Sequence, residues 1–141
     1  MRVLENKQVM RIGGSKYRDV DFRMVAATNK DLKTLVQSGQ FREDLYYRLS
    51  VLKVAIPPLR QRDNDVFSLA EFFIQKYNWR SKLPKISHDT KIKFMEYSWP
   101  GNIRQLENAI IYALNVSEDE LILPKHLPDE IIHNKNHPKT P

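Results

Sequence analysis

The chain changes period at Arg62, and that change limits the fold more than any other feature. Before it, apolar residues come in short runs. Residues 22–27 and Val51-Leu52-Lys53-Val54-Ala55-Ile56 are the two clearest, and Thr28-Asn29 and Pro57-Pro58 end them. Runs of this length bounded by turn residues predict buried strands. After Arg62, Val66, Leu69, Ala70, Phe73 and Tyr77 recur at helical spacing and predict one apolar stripe. An α/β segment with a parallel sheet, followed by an all-helical unit, is the expected architecture. With 41% hydrophobic and 10% aromatic residues among 141, there is enough apolar surface for a core.

The connecting segments refine this. Val9-Met10-Arg11-Ile12 runs into Gly13-Gly14-Ser15, a turn signal that predicts a hairpin. Asp31 starts a helix running to about Gln37 and stopped by Gly39; residues 41–49 form a second. Asp63-Asn64-Asp65 opens the first helix of the later unit. Ser87 caps the next, whose inward residues are Ile92, Met95 and Trp99. Asn102 caps a third, with Gln105 as its capping-box partner and Ile103, Leu106, Ile110 and Ala113 or Leu114 as its stripe. Residues 121–132 add a strand-like segment and a helical turn. Residues 133–141 read as a polar tail, where His133 and His137 are solvated rather than metal ligands.

Charge is uneven. Residues 1–62 hold 13 Lys and Arg against 6 Asp and Glu, whereas residues 63–141 hold 10 against 11. The basic half suits an anionic partner such as a nucleotide or a nucleic acid. No cysteine is present, so thiolate metal sites and disulfides are excluded. No apolar run is long enough to cross a membrane, and no apolar stretch follows Met1 as a secretory leader would require. A cytoplasmic protein is the expectation.

Four residues carry the candidate chemistry. Asn29, with Thr28 before it, follows an apolar run, and ligands of open α/β sheets bind beyond the carboxyl ends of strands. An amide there suits a γ-phosphate oxygen and its attacking water; capping the next helix is its simpler role. Arg48, seven residues after Phe41, lies about 20° from it around a helix, close to Leu45 and Leu52. A bridge from Asp44 to Arg48 is its simpler role. Arg42 lies about 120° around that helix from Arg48, so the two flank a space. Arginine suits a transferring phosphoryl group because its fork grips two oxygens and keeps its charge. Arg104 sits in a first helical turn, where a bound anion would offset its clash with the helix dipole.

Taken in order, five segments resemble the central ATPase domain of the sigma-54-dependent transcriptional activators, a family of AAA+ proteins. They are Arg2-Val3-Leu4-Glu5, Arg11-Ile12-Gly13-Gly14, Val25-Ala26-Ala27-Thr28-Asn29, residues 41–49 with Pro57-Pro58-Leu59-Arg60-Gln61-Arg62, and Trp99-Pro100-Gly101-Asn102-Ile103-Arg104-Gln105-Leu106-Glu107-Asn108. The last is the most specific; Gln105 stands where Glu is usual. The resemblance covers about residues 1–130. It implies a partial AAA+ core over 1–62, a helical lid over 63–130 and a tail over 131–141. By it, Asn29 with Thr28 senses the γ-phosphate, Arg42 and Arg48 act in trans as arginine fingers, and Arg104 contacts the nucleotide of its own subunit. The implied cofactor is ATP, with magnesium only in a complete domain. The implied partners are sigma-54 RNA polymerase and a homo-hexamer.

No Gly-x-x-x-x-Gly-Lys-[Ser/Thr] loop and no paired Asp-Glu after a strand occur in the 141 residues. The chain therefore reads as a C-terminal fragment of that domain, expected to be inactive alone and without site-specific DNA binding. Two alternatives stand beside this: a small basic three-helix DNA-binding module in residues 63–116, and a non-catalytic subunit of a paralogue's ring.

Overall fold

The computed structural model describes residue 3 and residues 6–62, 64–118 and 120–133. The chain divides into two compact units, one up to Ala55 and one from Ile56.

The first unit opens with an antiparallel ribbon of β1, Gln8–Met10, and β2, Tyr17–Asp19, in the register Gln8↔Asp19, Val9↔Arg18 and Met10↔Tyr17. The turn expected at Gly13-Gly14 joins them. Helix α1, Leu32–Gln37, begins where Asp31 accepts a hydrogen bond from the Lys33 amide. It ends at Gly39, whose φ of 71° lets the Gly39 and Gln40 amides reach back to the carbonyls of Val36 and Leu35. Helix α2 spans Glu43–Leu49, so Phe41 and Arg42 precede it rather than belonging to it.

The two runs expected as strands, 22–27 and 51–56, join no ladder among the described residues. Val25, Val51, Val54 and Ile56 are 78–88% exposed. A strand persists only where neighbours take its N–H and C=O groups and cover its apolar face. These runs have the composition of strands without the neighbours. Amide exchange is therefore expected to be fast at 25–27 and slow at 106–111; the reverse order would contradict this picture.

The second unit holds the hydrophobic core. A one-turn 3-10 helix, Leu59–Gln61, leads into α3, Asp65–Tyr77, preceded by Asn64; Asp63 lies outside the described residues. Then come β3, Lys85–Ile86; α4, His88–Glu96; α5, Asn102–Val116; β4, Leu121–Ile122; a 3-10 turn, Pro124–His126; and α6, Asp129–Ile132. Strands β3 and β4 pair in parallel, and α3 packs chiefly on α5. Val66, Ala70 and Phe73 face Leu106, Ile110, Ala113 and Leu114 in one cluster, as the two stripes predict. Ile131 is fully buried there, so the packing of this unit runs past residue 130.

Helix α4 differs from expectation. Ser87 does cap it, accepting from the Thr90 amide at 3.2 Å. Its inward residues, however, are Thr90 and Phe94; Ile92 and Met95 are exposed, and of the three expected residues Trp99, beyond the end of the helix, is buried. Thr90 can be buried because its hydroxyl donates to the Ile122 carbonyl at 2.9 Å, which removes the cost of taking a polar group from water. Hydrophobic spacing alone puts the inward face on the wrong side.

Candidate functional site

In the first unit, Thr28 Oγ1 accepts from the Lys30 amide at 3.1 Å and forms the bend that carries Asn29. Asn29 is exposed, and Asp31, not Asn29, caps α1. The helix-capping role considered for Asn29 is thereby filled by another residue.

The arginines at and before α2 are arranged differently from the sequence expectation. Arg42 is the residue before the helix, in extended conformation. Its guanidinium grips Asp44 with both arms, Nε to Oδ1 at 3.1 Å and Nη2 to Oδ2 at 2.7 Å. Arg48 is exposed rather than seated among apolar side chains; the buried residue of α2 is Tyr46. Helix α2 begins two residues later than expected, so the angular argument from Phe41 does not apply. The space between Arg42 and Arg48 holds a carboxylate. Asp44 is held below the usual carboxylate range first by its bond from Arg42, then by the Leu45 amide and the Arg42 charge, and finally by the charge of Arg48. Both arginines thus act on one planar anion, and a carboxylate offers the pair of oxygens that a phosphate also presents. The pair is exposed and its net worth small. Asp44 is expected from the sequence only as a partner of Arg48; its grip on Arg42 is signalled by nothing but the Arg-x-Asp spacing.

In the second unit, the turn Trp99-Pro100-Gly101-Asn102 launches α5. The Asn102 amide donates to the Trp99 carbonyl at 2.8 Å, with Pro100 and Gly101 at the corner. Trp99 and Asn102 both have a φ of 52°, the left-handed region. Trp99 is held there by burial, by its Nε1 donating to the Phe94 carbonyl at 2.9 Å, and by edge-on contact with Phe94 and Tyr97. Asn102 Oδ1 accepts from the Leu59 amide at 2.9 Å, tying the 3-10 turn after Pro57-Pro58 to the start of α5.

The cap of α5 is therefore Gly101, one residue earlier than expected. Asn102 is occupied elsewhere. Gln105, expected as the N3 partner of Asn102, instead stands four residues after the cap, and its Oε1 accepts from the Gly101 amide at 3.0 Å. A Cβ on Gly101 would lie 2.8 Å from that of Gln105, so the close approach requires glycine. Gln105 Nε2 donates to Tyr97 and Glu130, which fixes the helix start from two further sides. Arg104 stands in this braced first turn, exposed, with no ion pair or hydrogen bond to its side chain among the described residues. A guanidinium and backbone N–H groups at one helix end form a donor set that suits a phosphate.

Comparisons with known proteins agree with this division. The AAA+ ATPase lid domain model matches residues 60–141, and the Sigma-54 interaction domain model matches residues 1–55. The nitrogen fixation protein AnfA of Azotobacter vinelandii is 42% identical over 137 residues, 96% of this chain and 26% of that protein. The DNA-binding transcriptional regulator NtrC of Proteus hauseri is 44% identical over 133 residues, 93% of this chain and 28% of that protein. NtrX of Brucella abortus, solved with ADP and with ATP, superposes with a TM-score of 0.78 at 39% identity; the match covers 92% of this chain and 31–32% of NtrX.

A core portion followed by a small helical lid is the architecture of an AAA+ ATPase domain, and the chain belongs to the sigma-54-interacting AAA+ family. It spans about a quarter to a third of the length of these relatives.

Proposed function

We propose that this chain supplies the sensing and trans-acting side of an ATP site in a sigma-54-dependent transcriptional activator. The observation that carries the reading is the braced Trp-Pro-Gly-Asn turn, which presents Arg104 at the start of α5 with its charge unpaired among the described residues. Arg104 would hold a phosphate of the nucleotide bound in its own subunit. Arg42 and Arg48 would serve a neighbouring subunit, with Asp44 holding Arg42 until a phosphate replaces the carboxylate. Asn29, carried on the Thr28 bend, would report the γ-phosphate. When bound, the nucleotide supplies the phosphoryl group whose transfer drives the family's work on sigma-54 polymerase in a hexameric ring. The 141 residues contain no phosphate loop, so the β- and γ-phosphates and magnesium would be gripped by other residues of a complete domain.

The test is a graft. Residues 1–133 replace the matching stretch of an intact relative such as NtrC. The reading expects a folded ring that still opens sigma-54 promoters in an ATP-dependent way. A folded hexamer that hydrolyses ATP but opens no promoter contradicts the sigma-54 part of the proposal.

The three-helix DNA-binding reading fares less well. Its last helix, α5, buries Leu106, Ile110, Ala113 and Leu114 against α3 and carries Glu107, with Arg104 its single basic residue.

A further inference from the structure

Arg104 and Glu107 lie three residues apart on α5, a spacing at which opposite charges on a helix meet. Glu107 is directed elsewhere. Its Oε1 accepts from the Tyr77 hydroxyl at 2.5 Å and from Lys76 Nζ at 3.2 Å, both at the end of α3. Tyr77 is a fixed donor: its ring stacks on Phe73 and lies under the Lys76 ammonium, 4.5 Å from the ring centroid. The Glu107 carboxyl is held below its usual range first by the Tyr77 bond, next by the Lys76 bond, with the charge of Arg104 the weakest of the named causes.

We propose that Tyr77 and Lys76 are positioning residues that hold the Glu107 carboxylate against α3 and so leave the Arg104 guanidinium open to a nucleotide phosphate. The inference rests on the nucleotide role given to Arg104 above. Without the two holders, Glu107 would swing to Arg104, and an incoming phosphate would have to displace it. An exposed helical pair of this spacing is weak, so the apparent affinity should fall about twofold.

The experiment uses ¹⁵N NMR of the Arg104 Nε–Hε group in the 141-residue chain, in the parent, in Tyr77→Phe/Lys76→Met, and in each with Glu107→Gln added. One arm lowers pH through the carboxylate range in the 141-residue chain; the other titrates ATP into rings of an intact relative grafted with residues 1–133 of each sequence and reads the half-saturating concentration of phosphate release. In the parent the Arg104 signal should barely follow Glu107 protonation, and Glu107→Gln should leave the ATP midpoint unchanged. In the double variant the signal should follow Glu107, the midpoint should rise about twofold, and Glu107→Gln should restore it. A merely structural role for Tyr77 and Lys76 would not be rescued by Glu107→Gln. Coupling of Arg104 to Glu107 already present in the parent, or absent from the double variant, overturns the proposal. If the pH arm behaves as expected and Arg104→Ala leaves the ATP midpoint of the grafted ring unchanged, the nucleotide role of Arg104 fails, and with it the purpose assigned to the holders.

Discussion

Arg48→Ala and Arg42→Ala, each placed in a ring grafted with this sequence, are expected to lower ATP turnover roughly 10³–10⁵-fold, the usual worth of an arginine finger. Substrate affinity should change far less, because residues in that proposed role would meet charge that develops in the transition state. The structure adds a connection between them. Arg42 is bound with both arms by Asp44, and the charge of Arg48 acts on the same carboxylate. If Arg42 serves as a finger it must exchange the carboxylate for a phosphate, so Asp44→Asn should leave Arg42 easier to release and should not mimic Arg42→Ala. Steady-state phosphate release from rings of verified hexameric size is the measurement. Arginine variants within a few-fold of the parent would remove Arg42 and Arg48 from the mechanism.

Trp99→Ala should destabilise the helical unit by about 3–5 kcal/mol. The indole is 1% exposed, closes the core between Phe94 and Tyr97, and donates to the Phe94 carbonyl. Its removal leaves a cavity and a carbonyl without that partner. Because Trp99 is also held at a positive φ, Trp99→Ala relieves none of the backbone strain, since alanine has the same Cβ. A small domain has only about 5–15 kcal/mol to lose, so the variant should forfeit a large fraction of its stability. Urea unfolding followed by far-ultraviolet circular dichroism reads this directly. A loss below about 1 kcal/mol would mean that the turn before Arg104 is not braced by the core.

Much of the helical unit is legible in the sequence, for a physical reason. Val66, Ala70 and Phe73 on α3 and Leu106, Ile110 and Leu114 on α5 bury one face of each helix against the other, so spacing encodes contact. The same logic misplaces the inward face of α4, because Thr90 is buried through a hydroxyl bond that no hydrophobicity pattern records. It also misplaces the start of α5. Asn102 has the composition of a cap, but its amide oxygen is taken by Leu59, 43 residues earlier in the chain. The runs at 22–27 and 51–56 announce strands, but strand formation depends on pairing that a run's own composition does not supply. Of the site, Arg104 and the Trp-Pro-Gly-Asn turn could be found from the motif. The Asp44 clamp on Arg42 and the Tyr77–Lys76 hold on Glu107 could not, because short-range choices among several possible partners decide them.

The central claim is that this chain carries trans-acting arginines without the means to grip ATP itself. Phosphate release by the 141-residue chain tests it, alone and mixed with an intact relative whose own arginine fingers have been replaced. Alone, the chain should release no phosphate above background. In the mixture it should restore part of the relative's activity, and Arg42→Ala or Arg48→Ala chains should not. Turnover by the chain alone, or equal restoration by parent and arginine variants, would contradict the account.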